Sequence, residues 1–283
     1  MENPEPEQTF SKLAIQVSSL TGVAYFNSFL KAFSQLLEAD IAIVAEIISE
    51  GAQARTVSVC MDGETADNFE FDLNGSPFSS CRTGQATIYP EEVTALFPND
   101  YLLSDLSVEG FAAIPLVNPQ QKATGFLAVM FHSAIVNQQI IEPAFGAFTA
   151  RVAAELEQKR KFNKLSEIES YFLGITKLTK DVILVLSLRG EIRFASDSAI
   201  ALFGFKPDAL TDPFFYDFMT EDTRLLGKQE YEKFVASGET QFNIGLKVAR
   251  NESTVTLWAV KTITGNDVTG CVVVIERRNL EAR

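Results

Sequence analysis

Twice along this 283-residue chain the spacing of apolar side chains changes from three-and-four to two. The first spacing puts apolar groups on one face of a helix, and the second puts them on one face of a strand. Each time, helical stretches and several short strands follow one another across Gly-, Asn- and Asp-containing turns. Strands joined this way pair antiparallel, with helices packed on the sheet, and do not build a parallel sheet of strand–helix repeats. The expected class is therefore α+β in two domains, each an antiparallel sheet of about five or six strands with flanking helices.

In the first half, Phe10, Leu13, Ala14 and Val17 mark one amphipathic helix. Phe26, Phe29, Leu30, Phe33, Leu36 and Leu37 mark a second. After Asp40, Ile41 to Ala45 reads as a buried strand. Val57, Val59 and Met61 alternate up to the Asp62-Gly63 turn, and Phe69, Phe71 and Leu73 alternate up to Asn74-Gly75. Ser76 to Glu109 is weakly periodic and reads as a helical cross-connection. Strands at Gly110 to Val117 and Gly125 to Phe131 follow, and a long helix begins near Asn137 with Ile141, Phe145, Phe148 and Val152 on one face.

The second half repeats the class without repeating the sequence. Val182 to Leu188 and Ile192 to Ala195 flank an Arg189-Gly190-Glu191 turn. Asp197 can cap a short helix stopped by Gly204, and a helix runs from about Thr220 to Ser237. Strands are expected at Gln241 to Ala249, Thr254 to Thr262 and Thr269 to Glu276, with turns at Asn251-Glu252 and Gly265-Asn266-Asp267.

Charge divides the chain at the same place. Residues 1–158 hold 6 Lys+Arg and 20 Asp+Glu, net −14, whereas residues 159–283 hold 18 and 17, net +1. The expected division is a tail over 1–9, a domain over 10–158, a helical linker over 159–174 and a second domain over 175–283. A total of −13 argues against a general nucleic-acid surface and against attachment to anionic lipid. The longest apolar runs, such as Phe126 to Phe131, fall far short of the ~20 residues that span a bilayer. No basic, apolar, small-residue leader opens the sequence, so a secretory signal is not expected. Cys60, Cys81 and Cys271 are widely spaced and odd in number, which fits a reducing cytoplasm better than a disulfide framework or a zinc site.

Several segments of the first half together resemble the GAF domain of bacterial signalling proteins. They are Ser80-Cys81-Arg82-Thr83-Gly84, Leu96-Phe97-Pro98, Phe111 to Leu116, Gly125 to Val129, and the closing run Phe148 to Leu156. Residues 175–280 are similar to a PAS domain. Asp197 to Leu210 follows its asparagine-to-glycine-tyrosine helix segment, Phe218 to Asp222 its proline-aspartate helix start, Trp258 its penultimate strand and Cys271 to Arg278 its last strand. Asp197, Asp212 and Arg250-Asn251-Glu252 depart from the family's usual asparagine, glycine and aspartate-glycine turn. The resemblance implies a GAF fold, then a PAS fold, in a cytoplasmic sensory protein.

Catalytic and cofactor signatures are missing from the sequence. There is no GxxxxGK[ST] or GxGxxG phosphate cradle and no histidine-kinase catalytic or phosphoacceptor segment. His132, the single histidine, follows Val129-Met130-Phe131. It reads as a core or strand-end histidine bonded to backbone, with a pocket role as the alternative. The PAS half has no histidine to hold haem, and it lacks the flavin-linking cysteine motif. Cys81 is the one candidate for bilin attachment, but the surrounding chromophore motifs are absent. It reads as a structural thiol, with a ligand-facing or redox thiol as the alternative. Cys271 reads as a small core residue, and Asp62-Gly63-Glu64 as a hairpin turn. No haem, flavin, bilin or metal is expected, and no enzymatic activity.

The candidate ligand-facing residues are Cys81, Tyr89, Phe111 and His132 in the first half, and Phe203, Phe215, Phe218, Phe234 and Trp258 in the second. The Phe-rich set of the second half predicts either a closed core or a pocket for an apolar or aromatic ligand. The candidate linker and dimer residues are Phe148, Val152, Leu165, Ile168 and Phe172, on two apolar seams out of register across Glu157 to Lys161. The expected function is a non-catalytic sensory module that binds a ligand or partner and moves the linker helix, paired as a parallel homodimer, either serving a downstream kinase, cyclase or regulator or forming the sensory part of a histidine kinase or cyclic-dinucleotide enzyme. The alternatives are a ligand-free dimerisation scaffold and, more remotely, a GAF-type thiol redox enzyme.

Overall fold

The computed structural model describes residues 6–204, 213–250, 253–265 and 267–277. The Pro207-Asp208 turn, Asp212, the Asn251-Glu252 turn, Asn266 and Arg278 lie outside the described residues. The chain divides into two compact units, Met1–Leu165 and Ser166–Arg283.

The first unit opens with α1 (Pro6–Val17). The expected tail over 1–9 thus gives way to helix at Pro6. A proline suits the first helical position, where its missing N–H has no intrahelical partner and its φ is preset. Leu13 and Val17 then anchor the helix in the core. Helix α2 (Gly22–Leu37) buries Phe26, Phe29, Leu30, Phe33 and Leu37 of the stripe legible in the sequence, leaves Leu36 partly buried, and buries Tyr25 as well. The strands are β1 (Ile41–Ile48), β2 (Gln53–Met61), β3 (Glu64–Ala66), β4 (Glu70–Asp72), β5 (Thr87–Tyr89), β6 (Gly110–Val117) and β7 (Ala123–Phe131). They pair antiparallel in the order β3-β2-β1-β7-β6-β5, with β4 also on β2. The sheet has seven strands rather than five or six, because β3 and β4 pair with opposite ends of the long β2. The Asp62-Gly63 turn carries two consecutive left-handed residues (φ 49° and 77°), the geometry that matches strand twist in a two-residue hairpin.

Both faces of this sheet are covered. Ala42, Val44, Leu127, Val129 and Phe131 face α1, α2 and the start of α6 (Gln138–Leu178). Ile43, Ala45, Phe111, Ala113, Phe126 and Ala128 face the cross-connection, which holds α3 (Ser79–Arg82), α4 (Val93–Leu96) and α5 (Tyr101–Asp105). This double coverage explains why β1 and β7 read as continuous apolar runs rather than as alternating strands. Gly125 allows the closest approach: a Cβ there would stand 2.3 Å from the Ala45 carbonyl oxygen and 2.5 Å from Leu156 Cδ2 on α6.

In the second unit, β8 (Val182–Leu186), β9 (Ile192–Ala195), β10 (Gln241–Lys247), β11 (Thr254–Thr264) and β12 (Asp267–Arg277) form an antiparallel sheet in the order β10-β11-β12-β8-β9. One face (Leu184, Leu257, Ala259, Cys271, Val273) packs on α7 (Ala199–Phe203), α8 (Glu221–Ala236) and Phe215. Gly204 ends α7 in the left-handed conformation at φ 92°, as its sequence position implies. Helix α8 carries Glu221 and Asp222 in its first turn and Lys233 in its last, matching the helix dipole at both ends.

Candidate functional site

Three of the four candidates in the first unit share one face of its sheet. Cys81 on α3 and Phe111 on β6 are fully buried, and Tyr89 on β5 is half-buried beside them. The space between them is filled by rings. Phe78 stands edge-on to Phe111 at 4.8 Å, lies 5.1 Å from Phe126 and contacts Phe71 at 5.0 Å. Tyr89 reaches Phe97 at 5.4 Å. Burial pushes the Cys81 thiol up to about 12, with a weak opposing effect from the Ser80 hydroxyl. At neutral pH this sulfur is a protonated, apolar side chain and a poor nucleophile, which disfavours both covalent bilin attachment and thiol redox chemistry.

His132 does not join this cluster. It is exposed at the end of β7, where its backbone N–H donates to Asp40 Oδ2 at 2.7 Å and its Nδ1 lies 3.2 Å from the Ser107 carbonyl oxygen. That is the strand-end, backbone-bonded placement expected of it.

In the second unit, Phe203, Phe215 and Phe234 are buried in one core, and Phe218 lies partly buried against Phe203 at 5.2 Å. Phe215 contacts Tyr231 edge-on at 5.2 Å, and Phe234 stacks on Phe242 at 5.2 Å. The buried Tyr231 hydroxyl donates to the Ser187 carbonyl oxygen at 2.8 Å, and burial raises its pKa. Trp258 is a correction to the expected set. On β11 its neighbours Leu257 and Ala259 face the core, so period two turns Trp258 to the opposite face. It is 46% exposed and donates its indole N–H to Glu276 Oε2 at 3.3 Å.

The linker candidates separate in the same way. Phe148 and Val152, expected at a seam with a second chain, are buried in their own unit's core, where Phe148 meets Phe29 at 5.6 Å and Phe33 at 6.0 Å. The stripe folds back onto its own sheet because α2 presents an aromatic face to it. Leu165 and Ile168 are exposed, as are Phe162 and Ile175, while Phe172 is half-buried against Phe194 at 5.1 Å.

Sequence reading missed a polar contact inside the apolar helix packing. Glu155, 2% exposed, accepts the backbone N–H of Gly22 at 3.0 Å and pairs with Arg151 at 2.7 Å. Arg151 also donates to the Leu20 carbonyl oxygen at 3.2 Å and lies over the Tyr25 ring at 5.1 Å. Arg151 and Glu155 stand four apart on one helix face, a signal that a surface ion pair would carry equally.

Residues 172–278 match the family model of the PAS fold. No curated protein matches the chain. The GAF domain of an Acinetobacter phosphoenolpyruvate-protein phosphotransferase is 7% identical, with a TM-score of 0.45, covering 57% of this chain and 99% of its own. A bacteriophytochrome from the photosynthetic bacterium R. palustris is 9% identical, with a TM-score of 0.48, covering 97% of this chain and 62% of its own. The PAS domain of an HTR-like protein from Haloarcula marismortui is 13% identical, with a TM-score of 0.35, covering 42% of this chain and 98% of its own. Residues 172–278 are thus similar to the PAS fold, and they follow an antiparallel α+β unit with both faces of its sheet covered.

Proposed function

We propose that the chain is a non-catalytic regulatory module of signal transduction, acting in the cytoplasm, in which α6 passes a conformational bias between a GAF-like unit and a PAS domain. The observation that carries this reading is the course of α6. Its first half is locked into the first unit through Phe145, Phe148, Val152 and Leu156. From Phe162 onward the same helix bears exposed apolar side chains at 165, 168 and 175, with Phe172 between them. Exposed apolar surface costs about 25 cal/mol per Å², so a second copy of the helix covering it is favourable. The spacing of three, four and three suits a parallel pair. A ligand or partner that binds one arrangement better shifts the population of that pair, and a downstream kinase, cyclase or regulator reads the change.

Both ring clusters support partner-driven over ligand-driven action, since side chains occupy the faces where a ligand would lie. A ligand of the PAS core would have to be apolar or aromatic and displace rings such as Phe203 and Phe218. Sedimentation of the whole chain tests the pairing. The wild type is expected as a dimer, and a Leu165→Glu, Ile168→Glu variant as a folded monomer by circular dichroism. A dimer that survives both changes, or a monomeric wild type, overturns the reading.

A further inference from the structure

We propose that Asp40, Asp62 and His132 form a binding site for a divalent transition-metal ion at one end of the first unit's sheet. Asp40 precedes β1, Asp62 follows β2 and His132 follows β7, so three neighbouring strands deliver one side chain each. One ligand atom from each lies within 4.8 Å of the other two. Modest side-chain rotations bring such atoms onto the ~2.0–2.2 Å bonds of nitrogen and carboxylate ligands.

The donor set is mixed, and this decides the kind of ion. An imidazole adds little for calcium or magnesium, which take oxygen ligands. One nitrogen with two carboxylates suits zinc, cobalt or manganese. His132 is oriented from outside the group: its Nδ1 lies 3.2 Å from the carbonyl oxygen of Ser107, on the loop before β6. A neutral ring donating Nδ1–H there keeps its lone pair on Nε2, the backbone-carbonyl arrangement that supports metal-binding histidines. Asp40 is held as well, because the backbone N–H of His132 binds one of its oxygens at 2.7 Å, leaving the other available. Among the described residues no lysine or arginine pairs with Asp40 or Asp62. Two neighbouring carboxylates without a counter-charge, within a stretch (residues 1–158) of net −14, favour a bound cation. Asp62 and His132 are exposed, so ions enter freely and water completes the coordination. Asp40 and His132 are 92 residues apart, which is why no motif announces the site.

Cobalt(II) titration of the whole chain, first stripped with a chelator, tests the proposal. One equivalent is expected to give a visible d–d band that zinc removes and calcium at the same concentration does not. Asp62→Asn is the main variant, because asparagine tolerates the left-handed backbone of this turn residue (φ 49°) and the fold is kept. It is expected to weaken cobalt binding by about 10-fold or more, as is His132→Gln. No cobalt binding by the wild type, unchanged binding by Asp62→Asn, or competition by calcium overturns the proposal. So does a band that is lost in Cys60→Ser and kept in Asp62→Asn.

Discussion

The backbone N–H of Gly22, the first residue of α2, donates to the carboxylate of Glu155 on α6 at 3.0 Å. A helix N-terminus leaves its first N–H groups without intrahelical partners and carries partial positive charge, so a buried carboxylate is stabilised there. Arg151 supplies the counter-charge from one turn earlier on α6. The position of α6 on the first unit is therefore set by a charged contact as well as by the rings of Phe145 and Phe148.

The two members of that ion pair differ in exposure, and mutation should separate them. Glu155→Ala leaves the Gly22 N–H and the guanidinium of Arg151 without their acceptor, at a cost of about 2 kcal/mol. Arg151 is 46% exposed on its side chain and returns to water, so Arg151→Ala should cost less, about 1 kcal/mol. Denaturant unfolding followed by circular dichroism measures both. An Arg151→Ala loss equal to or larger than that of Glu155→Ala would show that the contact with Gly22 is not what stabilises this packing.

Gly125 predicts a second asymmetry. A methyl group there meets the Ala45 backbone at 2.3 Å and Leu156 at 2.5 Å, and backbone cannot step aside as a side-chain tip can. Gly125→Ala should destabilise the first unit by about 1–3 kcal/mol. Gly146, on α6, has nothing within 4 Å of its added Cβ, so Gly146→Ala should be neutral or stabilising through helix propensity. Thermal melts of the two variants in opposite order would refute this account of the sheet–helix approach.

Most of the sheet was legible because period-two patterns and Asn-Gly or Asp-Gly turns are local signals. The Asp62-Gly63 hairpin is one such case, and the three-and-four stripe of α2 is a local signal of the same kind for a helix. What the pattern could not show was coverage. Phe148 and Val152 make an equally good seam for a second chain or for α2, and only the aromatic face of α2 decides between them. Trp258 was misplaced for a related reason: a strand's phase is fixed by which alternate set is buried, and Val255, Leu257 and Ala259 outcompete a single large ring. The convergence of Asp40, Asp62 and His132 depends on strand order, which no local pattern encodes.

The phase of β11 is directly measurable, since Trp258 is the chain's one tryptophan. Its fluorescence should be strongly quenched by acrylamide in the folded protein. Trp258→Ala should cost under about 1 kcal/mol, while Leu257→Ala, next to it and fully buried, should cost about 2–5 kcal/mol. A tryptophan shielded from acrylamide in the dissociated Leu165→Glu, Ile168→Glu variant would contradict this phase.

Stability should fall at alkaline pH, and two buried groups of the first unit contribute to the loss. Burial raises the Cys81 thiol from 9.0 to about 12. It raises the Tyr25 phenol from 10.0 to about 12, with Arg151 partly offsetting it. Both groups stay protonated in the fold at pH values where the unfolded chain has released the proton. The folded state therefore binds more protons across this window, and stability drops as pH rises. The contribution is complete below pH 9, where both groups are protonated in either state, and is lost between about pH 9 and 12 at up to ~1.4 kcal/mol per pH unit for each group. Cys81→Ala should flatten the loss that begins near pH 9. Tyr25→Phe should flatten the loss that begins near pH 10. The latter variant also removes a buried hydroxyl that makes no well-formed hydrogen bond among the described residues, so at pH 7 it should be close to neutral. Unfolding free energies measured from pH 7 to 11 decide the matter: slopes for both variants identical to the wild type would mean that these two side chains are not held protonated by the fold.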